Sequence, residues 1–145
     1  AKRIQHFCKV HSYAKLIAET EHVDERTLFI IETAALTHDI GIHVCEEKYR
    51  NCGGKLQEKE GPALAEQLLK QLEFDDEVSK RVQYLIAHHR TYDHVDGIDY
   101  QILIEADFLV NIMEDHASKE KAKNAYDRIF KTQSGKTICK EMFGI

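Results

Sequence analysis

The stretch ALTHDIGIH, residues 35–43, ends an apolar segment with an imidazole and a carboxylate, His38 and Asp39. Neighbouring helical side chains point about 100° apart, so the pair is not a simple ion pair on one helix face. Other polar groups interrupt apolar stripes elsewhere. Residues 28, 31 and 35 lead by helical spacing to His38 itself. In the first segment the apolar positions 4, 7, 8, 14 and 18 are completed at position 11 by His11. Further on, Leu103, Ala106, Val110 and Met113 form a stripe with Asp107 beside Ala106. An ionised carboxylate buried without a partner either takes up a proton or finds a cation. Two imidazoles and two carboxylates aimed at one place would satisfy a divalent metal. His11, His38, Asp39 and Asp107 make a mixed nitrogen and oxygen donor set, suited to Mn, Fe, Zn, Ni or Mg. Taken singly, a histidine on an apolar stripe is more often a hydrogen-bonded core residue, and an aspartate more often a cap. The coincidence on three segments favours the metal.

The elements that position these residues are helices throughout, because apolar residues recur at helical spacing and no segment shows sustained period-two alternation. Six helices are expected. The first covers residues 2–20. The second follows an Asp24 N-cap and ends at His38. The third opens at Gly61-Pro62, with proline in the permitted first turn. The fourth is capped by Asp75, the fifth by Asp99 (residues 100–116), and the sixth by Ser118, running to about residue 131. The stretch GIHVCEEKYRNCGGKLQEKE, residues 41–60, is expected to be a polar loop. The fold class is all-α, a single domain over residues 1–145 with its core in 4–115.

The chain of 145 residues suits one domain with one continuous core. Its net charge of −5 disfavours a nucleic-acid polymer as partner but leaves room for a small phosphorylated molecule, which needs only a few local cations. The four cysteines form no CxxC pair, which argues against zinc-ribbon and thioredoxin patterns. Cys8 and Cys45 are expected to pack as small hydrophobes. With no apolar run near ~20 residues and no visible signal peptide, the expected location is the cytoplasm, with no membrane partner. A homodimer stays open.

The order H…HD…D on an all-α chain resembles the HD superfamily of metal-dependent phosphohydrolases. The matching segments are VHSYAKLIAE with His11, AALTHDIG with His38 and Asp39, and LIEADFLVN with Asp107. They span roughly residues 4–115. The resemblance implies a helical bundle, an "HD-type" centre with these four as metal ligands, and hydrolysis of phosphate esters or anhydrides. HDIG followed by HHRTYDHVDG is also similar to cyclic-dinucleotide phosphodiesterases of the HD-GYP type, whose paired histidines correspond to His88 and His89. Here Ile42 stands where those enzymes carry lysine, Gln57 where they carry a further histidine, and the GYP signature is missing. ADFLVN resembles the (p)ppGpp hydrolases, with Asn111 matching a nucleotide-contacting asparagine, although Ile42-His43 replaces their acidic pair.

Together these readings describe a metal-dependent phosphohydrolase with a nucleotide as first choice of substrate. Asp39 would be both ligand and catalytic group, and His88 and His89 would serve a second metal or the substrate. Lys55, Lys59, Arg90, His94 and Asn111 are the candidate substrate contacts. Gln57 in place of histidine leads to the expectation of one tightly held metal. The alternative is a regulatory module that binds metal or nucleotide with little or no catalysis.

Overall fold

The computed structural model describes residues 1–145 as eight α-helices with no strand. Helix α1 is Lys2–Thr20, α2 Glu25–Thr37, α3 Ile42–Tyr49, α4 Gly54–Gln71, α5 Asp76–His88, α6 Ile98–Glu114, α7 Lys119–Ile129 and α8 Gln133–Phe143. Helices α1, α2, α5 and α6 surround the centre. Helix α4 lies along α5, and α7 and α8 pack against α6. The core contains Val10, Ile17, Ile31, Leu85, Leu103 and Leu109, all fully buried. Asp24, Asp75 and Ser118 cap their helices as the sequence predicts, accepting from the N–H of Thr27, Val78 and Lys121.

The remaining boundaries differ from the sequence reading. Residues 41–60 are not a loop: α3 occupies Ile42–Tyr49, ends at Arg50 in the left-handed conformation, and α4 begins at Gly54. Pro62 therefore lies inside α4 rather than in its first turn. Helix α6 starts after Gly97, and Asp99 is not its cap. Asp99 instead holds Arg81 by two hydrogen bonds of 2.8 Å. Helix α8, capped by Thr132, lies beyond the last expected element. Cys45 is buried, but Cys8 is exposed, because α1 turns a different face inward.

Two glycines set the position of the HD doublet. A Cβ on Gly61 would stand 2.6 Å from Ile86 Cγ2, and one on Gly41 would stand 3.0 Å from the Gly61 nitrogen. The turn after Asp39 thus lies directly on α4, and α4 lies directly on α5. Residues Glu25–Tyr49 include a window apolar enough for a membrane span by composition. Half of that window is buried in the fold, and the chain turns at 38–41 between α2 and α3, so it serves here as a core segment.

On the other side of α6 from the centre, Glu105 is fully buried. It accepts hydrogen bonds from the Lys131 N–H (2.6 Å), the Thr132 N–H (2.9 Å), the Thr132 hydroxyl and the Gln101 amide (2.6 Å). This carboxylate joins α6 to the corner between α7 and α8.

Candidate metal centre

His6 on α1, His38 and Asp39 at the end of α2, His89 at the end of α5 and Asp107 on α6 meet in one buried cluster. Each imidazole is anchored through Nδ1. His38 Nδ1 donates to the Ala35 carbonyl at 2.9 Å, and His89 Nδ1 to the Ile86 carbonyl at 2.7 Å. His6 Nδ1 meets Glu114 Oε2 at 3.0 Å, and Lys9 steadies the other oxygen of Glu114 at 3.0 Å. In all three rings Nε2 is the atom offered to the centre. All three Nε2 atoms and Asp39 Oδ1 are buried without a hydrogen-bond partner.

The spacings suit shared coordination better than hydrogen bonding. His6 Nε2 lies 3.3 Å from Asp107 Oδ1 and 3.7 Å from Asp39 Oδ2. His38 Nε2 lies 3.5 Å and 3.6 Å from the same two oxygens. These are longer than good N–H···O bonds. They are close to the ~3.0–3.5 Å edges expected between donors each about 2.0–2.2 Å from one ion. Buried donors lacking partners, at this spacing and of this chemistry, fit a divalent metal.

The electrostatics follow from the same packing. The facing Asp107 carboxylate raises the His6 pKa to about 9, with burial opposing and Glu114 assisting. Burial pushes Asp39 up, but the nearby imidazoles of His38 and His89 outweigh it, leaving a pKa of about 2. Burial also opposes ionisation of Asp107, yet the facing imidazoles of His38 and His6 hold it well below the usual carboxylate range. Arg90 bridges the two acids, 3.5 Å from Asp39 Oδ1 and 3.5 Å from Asp107 Oδ2.

The structure brings His38, Asp39 and Asp107 together but does not bring in His11. His11 is half-buried on another face and pairs with Glu32 at 2.9 Å. His6 occupies the place expected of it. The inward stripe of α1 is His6, Val10, Ala14, Ile17 and Ala18, and a stripe begun from Ile4 and Phe7 is rotated away from it. Ile4 is in fact 66% exposed. Val10, followed by Ala14 and Ile17, is the signal that would have found His6.

The two adjacent histidines separate. The Nε2 of His89 is 3.3 Å from Asp39 Oδ1, whereas the ring of His88 stacks on Tyr84 with centroids 4.2 Å apart, so His88 stands outside the cluster. Among the expected substrate contacts, Arg90 is at the centre. Asn111 donates to Asp107 Oδ1 at 2.9 Å and borders a 300 Å³ cavity that opens beside Asp39. Lys55 bonds Glu58 and Thr91 at the rim of a separate cavity. Lys59 and His94 do not reach the site. Lys59 lies over the Tyr49 ring, and the His94 side chain is 95% exposed. Gln57 is buried, donates to the Cys52 carbonyl and leaves its Oε1 without a partner.

A search among curated proteins and solved structures finds no significant match. The sequence profile of the HD domain matches residues 3–132, nearly the whole chain. With that match, and with buried His38-Asp39 facing Asp107 across an all-helical core, the chain belongs to the HD-domain family.

Proposed function

We propose that the protein is a phosphohydrolase that uses one divalent metal to cleave a phosphate ester or anhydride, with a nucleotide as the leading substrate. The observation that carries this reading is the set of buried Nε2 atoms of His6 and His38 facing Asp39 and Asp107 with no hydrogen-bond partner. Those four residues would hold the ion. When bound, it supplies Lewis acidity, lowering the pKa of water and polarising a phosphoryl oxygen.

The rest of the chemistry belongs to the chain. Asp39 offers Oδ2 to His6 and His38, while Oδ1 faces His89 and Arg90. The Oδ1 side is where the carboxylate orients the attacking water and accepts its proton. Arg90 binds the phosphoryl oxygens, and Asn111 fixes the Asp107 carboxylate. Charge balance supports the assignment. Without metal, Arg90 and the imidazoles of His6 and His38, both pushed toward the protonated form, offset the two aspartates. Replacing the imidazole protons by a divalent cation leaves the cluster net positive, which favours a phosphate.

The test is a phosphatase and phosphodiesterase panel with Mn²⁺, Mg²⁺, Ni²⁺ and Fe²⁺. Its substrates are p-nitrophenyl phosphate, bis-p-nitrophenyl phosphate, nucleotides and cyclic dinucleotides. The expected result is turnover abolished by chelator and by Asp39→Ala. A second reading, a binding module with a residual metal site, draws on Gln57 standing where two-metal relatives place histidine. Metal uptake without turnover on any member of the panel would select it.

A further inference from the structure

Arg90 lines two cavities. On one side is the small opening beside Asp39. On the other is a cavity of about 660 Å³ between α7 and the residues that follow α5. Roughly 300–1,000 Å³ is the usual size of a small-molecule site. The far wall is α7. Lys121, Asn124, Ala125 and Arg128 all line the cavity, and their spacing of three, four and seven places them on one helix face. The opposite side of α7 is used for ordinary surface pairing, Lys123 with Asp127. Lys121 and Arg128 form no ion pair, in a chain with more acidic than basic residues. The one acid in the lining, Asp93, is solvent-exposed and turned toward His94. The lining also carries an aromatic wall, Tyr92 edge-on to Phe108 with centroids 5.0 Å apart.

We propose that this cavity binds a second anionic group of the substrate, with Lys121 and Arg128 as its cations and Tyr92 and Phe108 as the wall for a flat ring. The proposal rests on the hydrolase reading only for the word substrate. The ligand class it selects is a phosphate compound with charge well beyond the phosphoryl group at the metal, such as a nucleoside polyphosphate, rather than a simple monophosphate ester. Lys121 and Arg128 are exposed on the cavity-facing side of α7 and pair with no acid there. Their charges raise the local concentration of anions in a protein whose overall charge repels them. The Glu105 bonds to Lys131 and Thr132 hold the end of α7 to α6, so the cationic face is presented at a fixed position.

The experiment is calorimetric titration of dialysed, metal-free protein with inorganic tripolyphosphate, a nucleoside triphosphate and the uncharged nucleoside. The Lys121 and Arg128 variants change only the α7 wall, so they assign anion binding to this cavity rather than to the His6 to Asp107 cluster. Wild type should bind both triphosphates, the nucleoside triphosphate more tightly through the aromatic wall, with affinity falling as salt rises. Lys121→Ala/Arg128→Ala should weaken both by about tenfold or more with its melting temperature unchanged. Lys121→Arg/Arg128→Lys should retain binding. The proposal is overturned if wild type binds neither triphosphate, if the alanine pair binds as wild type does, or if the nucleoside binds as well as its triphosphate. Binding that persists while no metal supports turnover would remove the hydrolase reading and leave the anion site standing.

Discussion

Helix α6 buries two carboxylates only two residues apart, and they are treated in opposite ways. Glu105 accepts from four donors and uses both of its oxygens. Asp107 receives one amide hydrogen bond, from Asn111, and otherwise faces imidazole nitrogens and a guanidinium at 3.3–3.5 Å. One is a closed network that fixes the fold. The other is an open set of donors that a cation would complete. Burial alone does not distinguish a structural acid from a functional one. Whether its neighbours have already satisfied it does.

The largest effect should come from the open side of this contrast. Asp107→Asn should lose the metal on dialysis and reduce turnover by about a thousandfold or more while the protein stays folded. Metal analysis beside circular dichroism is the check, and full metal content in this variant would remove the cluster as the metal centre. Glu105→Ala should do the reverse. It strands several buried donors at about 1–3 kcal/mol each, so a fall in melting temperature of ~10 °C is expected, with metal still bound by the folded fraction.

The imidazoles sharpen the same contrast. His6→Ala should weaken metal binding by more than tenfold. His11→Ala, which removes a half-exposed pair with Glu32, should leave metal content unchanged and stability within ~0.5 kcal/mol. Equal losses in the two would restore His11 as a ligand. Glu114→Gln should weaken metal binding by a smaller factor, on the order of tenfold, because it turns His6 without removing it.

The smallest effect is a pH dependence of the metal-free protein. The folded pKa of His6 is raised from 6.5 to about 9. Its contribution to stability is therefore complete below pH 6.5 and is lost as pH rises through about 9. Urea unfolding across that range should show a declining stability that flattens in His6→Gln. Asp39 works in the other direction. With a folded pKa of about 2, its contribution is present above pH 3.8 and is lost as pH falls through about 2.

The sequence discloses three of the four residues proposed to hold the ion, for a physical reason. His38-Asp39 and Asp107 interrupt strongly apolar segments, and an interruption in a buried stripe is visible without coordinates. His6 escapes because the outer face of α1 also carries large apolar residues, Ile4 and Leu16, so two stripes compete and the wrong one admits His11. Residues 41–60 escape because glycines and charges mask two helices whose stability comes from packing. Arg90 is legible as a cation, but its place between two carboxylates depends on Gly54. A Cβ there would stand 2.9 Å from both Cβ and Cγ of Arg90. No local pattern reports that contact.

The residues of the centre are scattered along the chain, from position 6 through 38–39 to 107. A single ion held by His6 and Asp107 would therefore act as a cross-link, closing a loop of roughly a hundred residues. Loop-closure entropy rises only slowly with length, yet such a bridge still excludes most of the conformations open to the unfolded chain. The centre cannot assemble during synthesis until α6 has emerged and packed against α1. Metal uptake would then be the last step of folding, and the metal-loaded protein should unfold more slowly than the metal-free one by the factor needed to release the ion first.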